Sequence, residues 1–234
     1  MAFAWWRYAC FKSTGRTEDA DMNFQHTPPV FDYRALRLAM GIIALALPFV
    51  VTFIAATGLA SVSASYYSSA RDVFVGLLFV VSAFLFAYNG HSNVQSIASK
   101  VAALAAVVVA LFPTARSCEL TSWVSKLHTT AAVVLFGILI YFCLGPFREN
   151  TKGQGGKKGL RARFYLGCAL VMIGAMAAGV VGWFVLPCET RMEIKLFYWV
   201  EAISLAAFGV AWIVAGKVVP PLVDEDEALK LFQG

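Results

Sequence analysis

Three ionisable residues lie at or inside the apolar segments of this sequence, where charged side chains are rare. Asp72 opens the second segment, His128 opens the fourth, and Glu201 follows shortly after the start of the sixth, in FYWVEAISLAAFGVAW. If the segments are membrane helices, all three side chains fall in the same half of the membrane. A carboxylate, an imidazole and a second carboxylate in one cleft would suit general acid–base catalysis or metal binding. We therefore take Asp72, His128 and Glu201 as candidate catalytic residues.

The same residues also have a structural interpretation. An unpaired carboxylate in hydrocarbon is costly, so Glu201 is expected to face the bundle interior and to pair with His128, Arg71 or Lys195, or to remain protonated. A buried Glu that is hydrogen-bonded to a His can simply hold two helices together. Both interpretations stay open, so the sequence leaves undecided whether the protein is an enzyme.

The polar loop before the second segment, SVSASYYSS at 61–69, is rich in Ser and Tyr. One of its serines is a possible nucleophile for His128, although no nucleophile-elbow pattern surrounds any of them. A loop at the membrane–water boundary also explains its composition. Four residues are candidates for contact with lipid headgroups: Tyr66, Tyr67, Arg71 and Lys195.

The composition is that of a membrane protein. The 234 residues are 59% hydrophobic and 14% charged, and the mean hydropathy is +0.70. A soluble domain needs more polar surface than this to cover its core. The formal net charge of +5 therefore indicates cytoplasmic loops and contact with anionic lipid, and no nucleic-acid partner is expected.

The sequence predicts an all-α fold, a polytopic bundle of six transmembrane helices. Six apolar segments are long enough to cross a membrane or nearly so. They lie at 35–60, 72–90, 97–112, 127–147, 162–185 and 193–215. Residues 35–217 form the predicted membrane domain. It follows an interfacial or polar segment at 1–34 and precedes an acidic tail at 218–234.

The orientation is predicted from one basic loop at 147–164. Between Arg148 and Arg163 it carries six basic residues and a single acid, Glu149. The positive-inside rule places this loop on the cytoplasmic side, and six spans then place both termini there too. The same loop is expected to contact anionic lipid.

The cysteines and histidines suggest one covalent link and no metal. Cys118 and Cys188 fall in two loops predicted to face outward, so they could form a disulfide in an oxidising compartment. The alternative is a pair of unlinked thiols. The three histidines have no ligand-like spacing, and no lysine lies at mid-span, so neither a metal nor another cofactor is expected.

The six-span pattern resembles the FRAG/DRAM/Sfk superfamily, which includes damage-regulated autophagy modulators and a Golgi protein that remodels GPI-anchor lipids, and its bacterial relatives of unknown function. Three pieces carry the similarity: SVSASYYSSARDVFVG, LHTTAAVVLFG with His128, and CETRMEIKLFYWVEAISLAAFGVAW with Glu201. The resemblance covers about residues 35–217. It implies a helical bundle with a role towards membrane lipids or sterols, and the superfamily shares no single catalytic mechanism.

These observations favour an integral membrane protein with an outward-facing cleft that contacts lipid, and with a role in membrane lipid homeostasis or membrane assembly. One alternative is a lipid hydrolase or acyltransferase that uses His128 and Glu201. Another is a non-catalytic accessory subunit that binds other membrane subunits in a larger complex. Transport is a further alternative, although no inverted repeat is visible in the sequence.

Overall fold

The computed structural model describes residues 33–116, 122–149 and 151–223, and the regular structure in these ranges is entirely helical. The helices are α1 (Tyr33–Ala55), α2 (Arg71–Ala87), α3 (Asn93–Leu111), α4 (Trp123–Leu144), α5 (Pro146–Glu149), α6 (Gly156–Val185), α7 (Cys188–Glu193) and α8 (Leu196–Ala215). Two short 3₁₀ turns lie at Ser63–Tyr67 and Pro220–Leu222. The all-α prediction is confirmed for the described residues.

Among the described residues, five helical stretches are long and apolar enough to cross a membrane. They are Arg34–Ala55, Asn93–Leu111, Trp123–Glu149, Gly156–Val185 and Leu196–Ala215. This composition supports the predicted class of multi-pass membrane protein. Helix α2 has 17 residues and rises about 25 Å, at the lower limit of the length that spans a bilayer.

The predicted boundaries differ most in the basic loop. Helix α6 begins at Gly156, so much of the stretch predicted as a loop at 147–164 is helical. Hydropathy marks only the apolar part of a helix, whereas Lys and Arg are good helix formers and extend it into the polar region. Helices α3 and α4 also begin earlier than predicted. Their N-caps are Ser92 and Ser122, whose hydroxyls accept the N–H groups of Gln95 and Ser125.

Helices α1 and α8 lie against each other at two glycines. A Cβ atom added to Gly41 would come within 2.6 Å of the Gly209 carbonyl oxygen, and one added to Gly209 would come within 2.7 Å of the Gly41 carbonyl oxygen. The two backbones are therefore in direct contact at this point. Small residues allow such close approach between membrane helices, where dispersion contacts replace the hydrophobic effect as the driving force.

The chain returns to the start of α1 after α2. Arg37 lies on α1, and its Nη2 donates a hydrogen bond of 2.9 Å to the hydroxyl of Tyr88, the residue that directly follows α2. Helix α2 is therefore antiparallel to α1. We call this end of the bundle the basic end, and we call the end that carries the Ser63–Tyr67 turn and α7 the opposite end.

A cluster of buried aromatic rings lies at the basic end. The Trp212 ring is 5.3 to 6.0 Å from the rings of its neighbours, in edge-on or tilted arrangements. These neighbours are Tyr88, Phe142, Phe147 and Phe208. Edge-on ring pairs are favourable because the positive edge of one ring meets the negative face of another. This cluster joins the end of α2 to α4, α5 and α8.

The cysteines are only partly described. Cys143 and Cys168 are free and buried. Cys188, at the start of α7, is disulfide-bonded, and its partner lies outside the described residues, as do both Cys118 and Cys10. The predicted link between Cys118 and Cys188 therefore stays a prediction. The predicted interfacial segment at 1–34 and the acidic part of the tail also fall almost entirely outside the described ranges.

Candidate functional site

Glu201 has a different partner from the ones expected. Its Oε2 accepts the backbone N–H of Ser63 at 2.9 Å, and its Oε1 accepts the Ser63 hydroxyl at 3.1 Å. Ser63 begins the 3₁₀ turn between α1 and α2. The expected pairing with His128, Arg71 or Lys195 is therefore replaced by a cap on this turn. The serine-rich loop could have indicated this cap, because a short polar turn leaves backbone N–H groups that need an acceptor.

His128 is buried in a separate environment. It is 3% exposed, and its Nδ1 donates to the Phe112 carbonyl oxygen at 2.6 Å. Since a carbonyl oxygen can only accept, Nδ1 carries the proton. This bond ties the start of α4 to the end of α3. Asp72 is exposed at the start of α2 and makes no hydrogen bond or ion pair within the described ranges. The structure therefore gives Asp72, His128 and Glu201 three different surroundings.

Three of the four predicted headgroup residues lie in two cation–aromatic pairs at the opposite end, and the second pair includes Arg116, which was not predicted. The Arg71 guanidinium lies 4.4 Å from the centre of the Tyr66 ring and donates to its hydroxyl at 2.9 Å. The guanidinium of Arg116 lies 4.1 Å from the centre of the Tyr67 ring. Lys195 is exposed between α7 and α8 and has a left-handed backbone with φ of 50°. These contacts fit a membrane–water boundary, where aromatic rings and cations are common.

A cavity of about 390 Å³ at the basic end brings together residues from across the chain. Its walls come from α1, the turn after α2, α5, the start of α6 and the end of α8. The lining residues are Arg37, Tyr88, His91, Pro146, Phe147, Thr151, Lys158, Arg161, Tyr165, Ala215 and Lys217. Four of them are Lys or Arg, and none of the described lining residues is acidic. These walls therefore carry cationic donors that can bind an anion.

Arg37 is held in place on one side of the cavity. Its Nη1 donates to the Ala215 carbonyl oxygen at 3.3 Å and its Nη2 to the Tyr88 hydroxyl. Its guanidinium lies 5.2 Å from the centre of the Tyr88 ring and 5.5 Å from that of Phe147. The buried Nε has no hydrogen-bond partner among the described residues. Arg37 is therefore held in one orientation by its contacts with α8, Tyr88 and Phe147.

Arg161 and Lys158 of α6 also line the cavity. Arg161 is only 2% exposed, although it lies in the stretch predicted as a polar loop. Lys158 precedes it by about one turn on α6 and is half-buried. A guanidinium presents a planar set of donors that matches a phosphate or carboxylate, and an ammonium adds a compact charge. This arrangement can bind a small anion or an anionic headgroup.

Sequence reasoning found only part of this cavity. The basic loop was expected to contact anionic lipid, and two of its residues, Lys158 and Arg161, line the cavity. Arg37 and Lys217 were missed. The available signal was their position, since each lies close to the end of a predicted span on the side of the basic loop.

Within the described ranges, no group of three His, Cys, Asp or Glu side chains is placed to hold a metal ion. Comparison of the chain with models of known protein families, with curated proteins and with solved structures finds no match.

Proposed function

We propose that this protein is an integral membrane protein that binds the phosphate-bearing headgroup of an anionic lipid in the cavity at the basic end. The observation that carries the proposal is the convergence of four cationic side chains, from three separate parts of the chain, on one cavity. The role that this binding serves is membrane lipid homeostasis, in line with the resemblance to the FRAG/DRAM/Sfk superfamily.

The position of the cavity favours a lipid headgroup over a free anion. It lies where long apolar helices end and polar connections begin, which is the depth of the headgroup region in a membrane protein. Aromatic side chains lie beside the cations, as is typical of that boundary. The proposal therefore moves the expected lipid contact from the predicted outward-facing cleft to the other end of the bundle.

We also propose that the chain crosses the membrane six times and that its basic end faces the cytoplasm. Helix α2 is antiparallel to α1, and at 17 residues it reaches the lower limit for a span. With α2 as a crossing, the connections at 88–92 and 145–155 and the end of α8 share one side. The excess of Lys and Arg there supports its placement in the cytoplasm, where anionic lipids are concentrated.

The other functions have weaker support. Catalysis by His128 and Glu201 is not favoured, because Glu201 is hydrogen-bonded to Ser63 and His128 to Phe112. The two side chains do not share a hydrogen bond with each other. An accessory subunit remains an alternative that no described contact favours. We therefore rank lipid binding first.

The test measures phosphatidic acid that stays with the purified protein. The protein is reconstituted in phosphatidylcholine nanodiscs that contain a small fraction of phosphatidic acid, and retained lipid is measured by mass spectrometry. Lys158→Gln is expected to reduce retention about tenfold, which corresponds to about 1.4 kcal/mol for one charge-assisted contact. Arg161→Lys keeps the charge and should retain more lipid than Arg161→Gln.

Arg163 provides the matched control. It lies two positions after Arg161 on α6 but is exposed and does not line the cavity. Arg163→Gln should leave retention unchanged. Equal losses in Lys158→Gln and Arg163→Gln would indicate general surface attraction, and unchanged retention in Lys158→Gln and Arg161→Gln would overturn the proposal.

A further inference from the structure

A second cavity, of about 380 Å³, lies beside the same helices and is entirely apolar. It is lined by Leu160, Phe164, Val210, Ile213, Val214, Val219, Pro221 and Leu222. We infer that this apolar groove holds one acyl chain of the lipid whose phosphate occupies the cation-lined cavity. The inference rests on the proposed function and specifies its ligand as a phospholipid bound by headgroup and chain together.

The two cavities are built from neighbouring residues of the same helices. On α6, Leu160 and Phe164 line the apolar groove, and the residues that follow each of them, Arg161 and Tyr165, line the cation-lined cavity. Consecutive residues on a helix point about 100° apart. One helix therefore presents its charged side to one cavity and its apolar side to the other.

Helix α8 repeats this arrangement. Val214 lines the apolar groove and Ala215 lines the cation-lined cavity. The two sites are thus adjacent along both helices at the α6–α8 contact. A phospholipid has the same division, because its phosphate and its acyl chains are joined through one glycerol.

The third wall of the groove is a segment held down by a basic residue. Val219, Pro221 and Leu222 belong to the turn after α8, and the Nζ of Lys157 donates to the Val223 carbonyl oxygen at 2.7 Å. This bond fastens the segment to the first turn of α6. The walls of the groove are therefore α6, α8 and the segment that follows α8, and the last of these is held in place by a hydrogen bond.

The exposure of the lining indicates that the groove opens towards the bilayer. Val214 and Leu222 are 3% and 5% exposed and form its floor. Leu160 and Phe164 at its rim are 40% and 42% exposed. The residues at this rim are apolar, and Phe164 lies about one helical turn further from the basic end than Leu160, so the groove extends from headgroup depth towards the hydrocarbon. An acyl chain can enter from the side while its phosphate stays at the charged end.

The test compares lipids that differ in their chains and variants that differ in the groove. Val219→Trp fills the groove with an indole ring. Val218→Trp is its control, because Val218 is half-buried next to it but lines neither cavity. Each variant is reconstituted in phosphatidylcholine nanodiscs with dioleoyl phosphatidic acid, and retained lipid is measured. Each is also titrated with glycerol 3-phosphate, which has the headgroup without chains. Equal thermal unfolding midpoints establish that both variants are folded.

We expect Val219→Trp to lower retention of dioleoyl phosphatidic acid at least fivefold and to leave glycerol 3-phosphate binding unchanged. Val218→Trp should change neither. If Val219→Trp retains the lipid normally while Lys158→Gln loses it, the acyl-chain inference is wrong and the headgroup proposal stands. If Lys158→Gln and Arg161→Gln also retain the lipid normally, both fail. Equal loss of lipid and glycerol 3-phosphate in Val219→Trp would mean that the substitution distorts the cation-lined cavity, and it would overturn the assignment of the groove to the chain.

Discussion

Glu201 caps the turn between α1 and α2 by accepting two hydrogen bonds from one residue, the backbone N–H and the hydroxyl of Ser63. The two residues lie 138 positions apart in the sequence. Through this contact α8 fixes the polar connection at the opposite end. A carboxylate that accepts an N–H and an O–H at once is a strong acceptor, and both donors would otherwise be left in a region of low polarity.

Substitution of Glu201 should therefore lower stability in graded steps. Glu201→Ala leaves both Ser63 donors without their acceptor and should reduce the free energy of unfolding by about 2–3 kcal/mol. Glu201→Gln keeps one carbonyl oxygen and should cost less, and Ser63→Ala removes only the hydroxyl bond. Thermal unfolding in detergent would measure the order. Equal stability of Glu201→Ala and the natural sequence would show that the cap does not stabilise the fold.

The contact between Gly41 and Gly209 predicts a large effect from a single methyl group. Gly41→Ala and Gly209→Ala each place a Cβ below 3 Å from a backbone oxygen of the other helix. Because backbone cannot move aside as a side chain can, we expect losses of about 1–3 kcal/mol from overpacking. Gly174→Ala is the control, since a Cβ there meets nothing within 4 Å, and it should be neutral or stabilising by up to about 1 kcal/mol. A loss of similar size in the control would refute the close-packing explanation.

The partner of Cys188 is expected to be Cys118. Both were predicted to lie on the same side of the membrane, whereas Cys10 was predicted on the other side. Mass spectrometry of peptides from unreduced protein should find Cys118 linked to Cys188, and Cys118→Ser and Cys188→Ser should each lower stability by about 2–4 kcal/mol. Cys143→Ser tests a free buried thiol and should leave the link intact. A peptide that joins Cys10 to Cys188 would disprove the assignment and the topology behind it.

The six-crossing topology predicts which residues share a side. Thr57, before α2, and His91, after it, are both exposed, as is Lys152 between α5 and α6. In sealed vesicles, a membrane-impermeant maleimide should label His91→Cys and Lys152→Cys from one side and Thr57→Cys from the other. Labelling of Thr57→Cys and His91→Cys from the same side would mean that α2 does not cross. A membrane-permeant maleimide measures the total amount of reactive cysteine. The natural sequence, which lacks the added cysteine, measures background labelling of the native cysteines.

The helical class and the positions of the long apolar helices could be predicted because both depend on contiguous runs of residues in the sequence. A run of apolar side chains identifies a span whatever the rest of the chain does. The start of α6 was missed because its basic first turns look like a loop in hydropathy, although Lys158 and Arg161 are compatible with a helix. Whether such a basic stretch is a helix or a loop depends on its capping and packing, and hydropathy reports neither.

The sequence by itself determined that this is an apolar, helical chain with a basic connection between its later helices, since each of these properties is local. Only the tertiary structure decided which residues meet. Glu201 binds Ser63 and not His128, because the α1–α2 turn folds back onto α8. Arg37 joins Lys158, Arg161 and Lys217 around one cavity, because antiparallel packing returns three distant segments to the same end of the bundle. Which helix faces another depends on side-chain packing between segments far apart in the chain, and no local pattern encodes it.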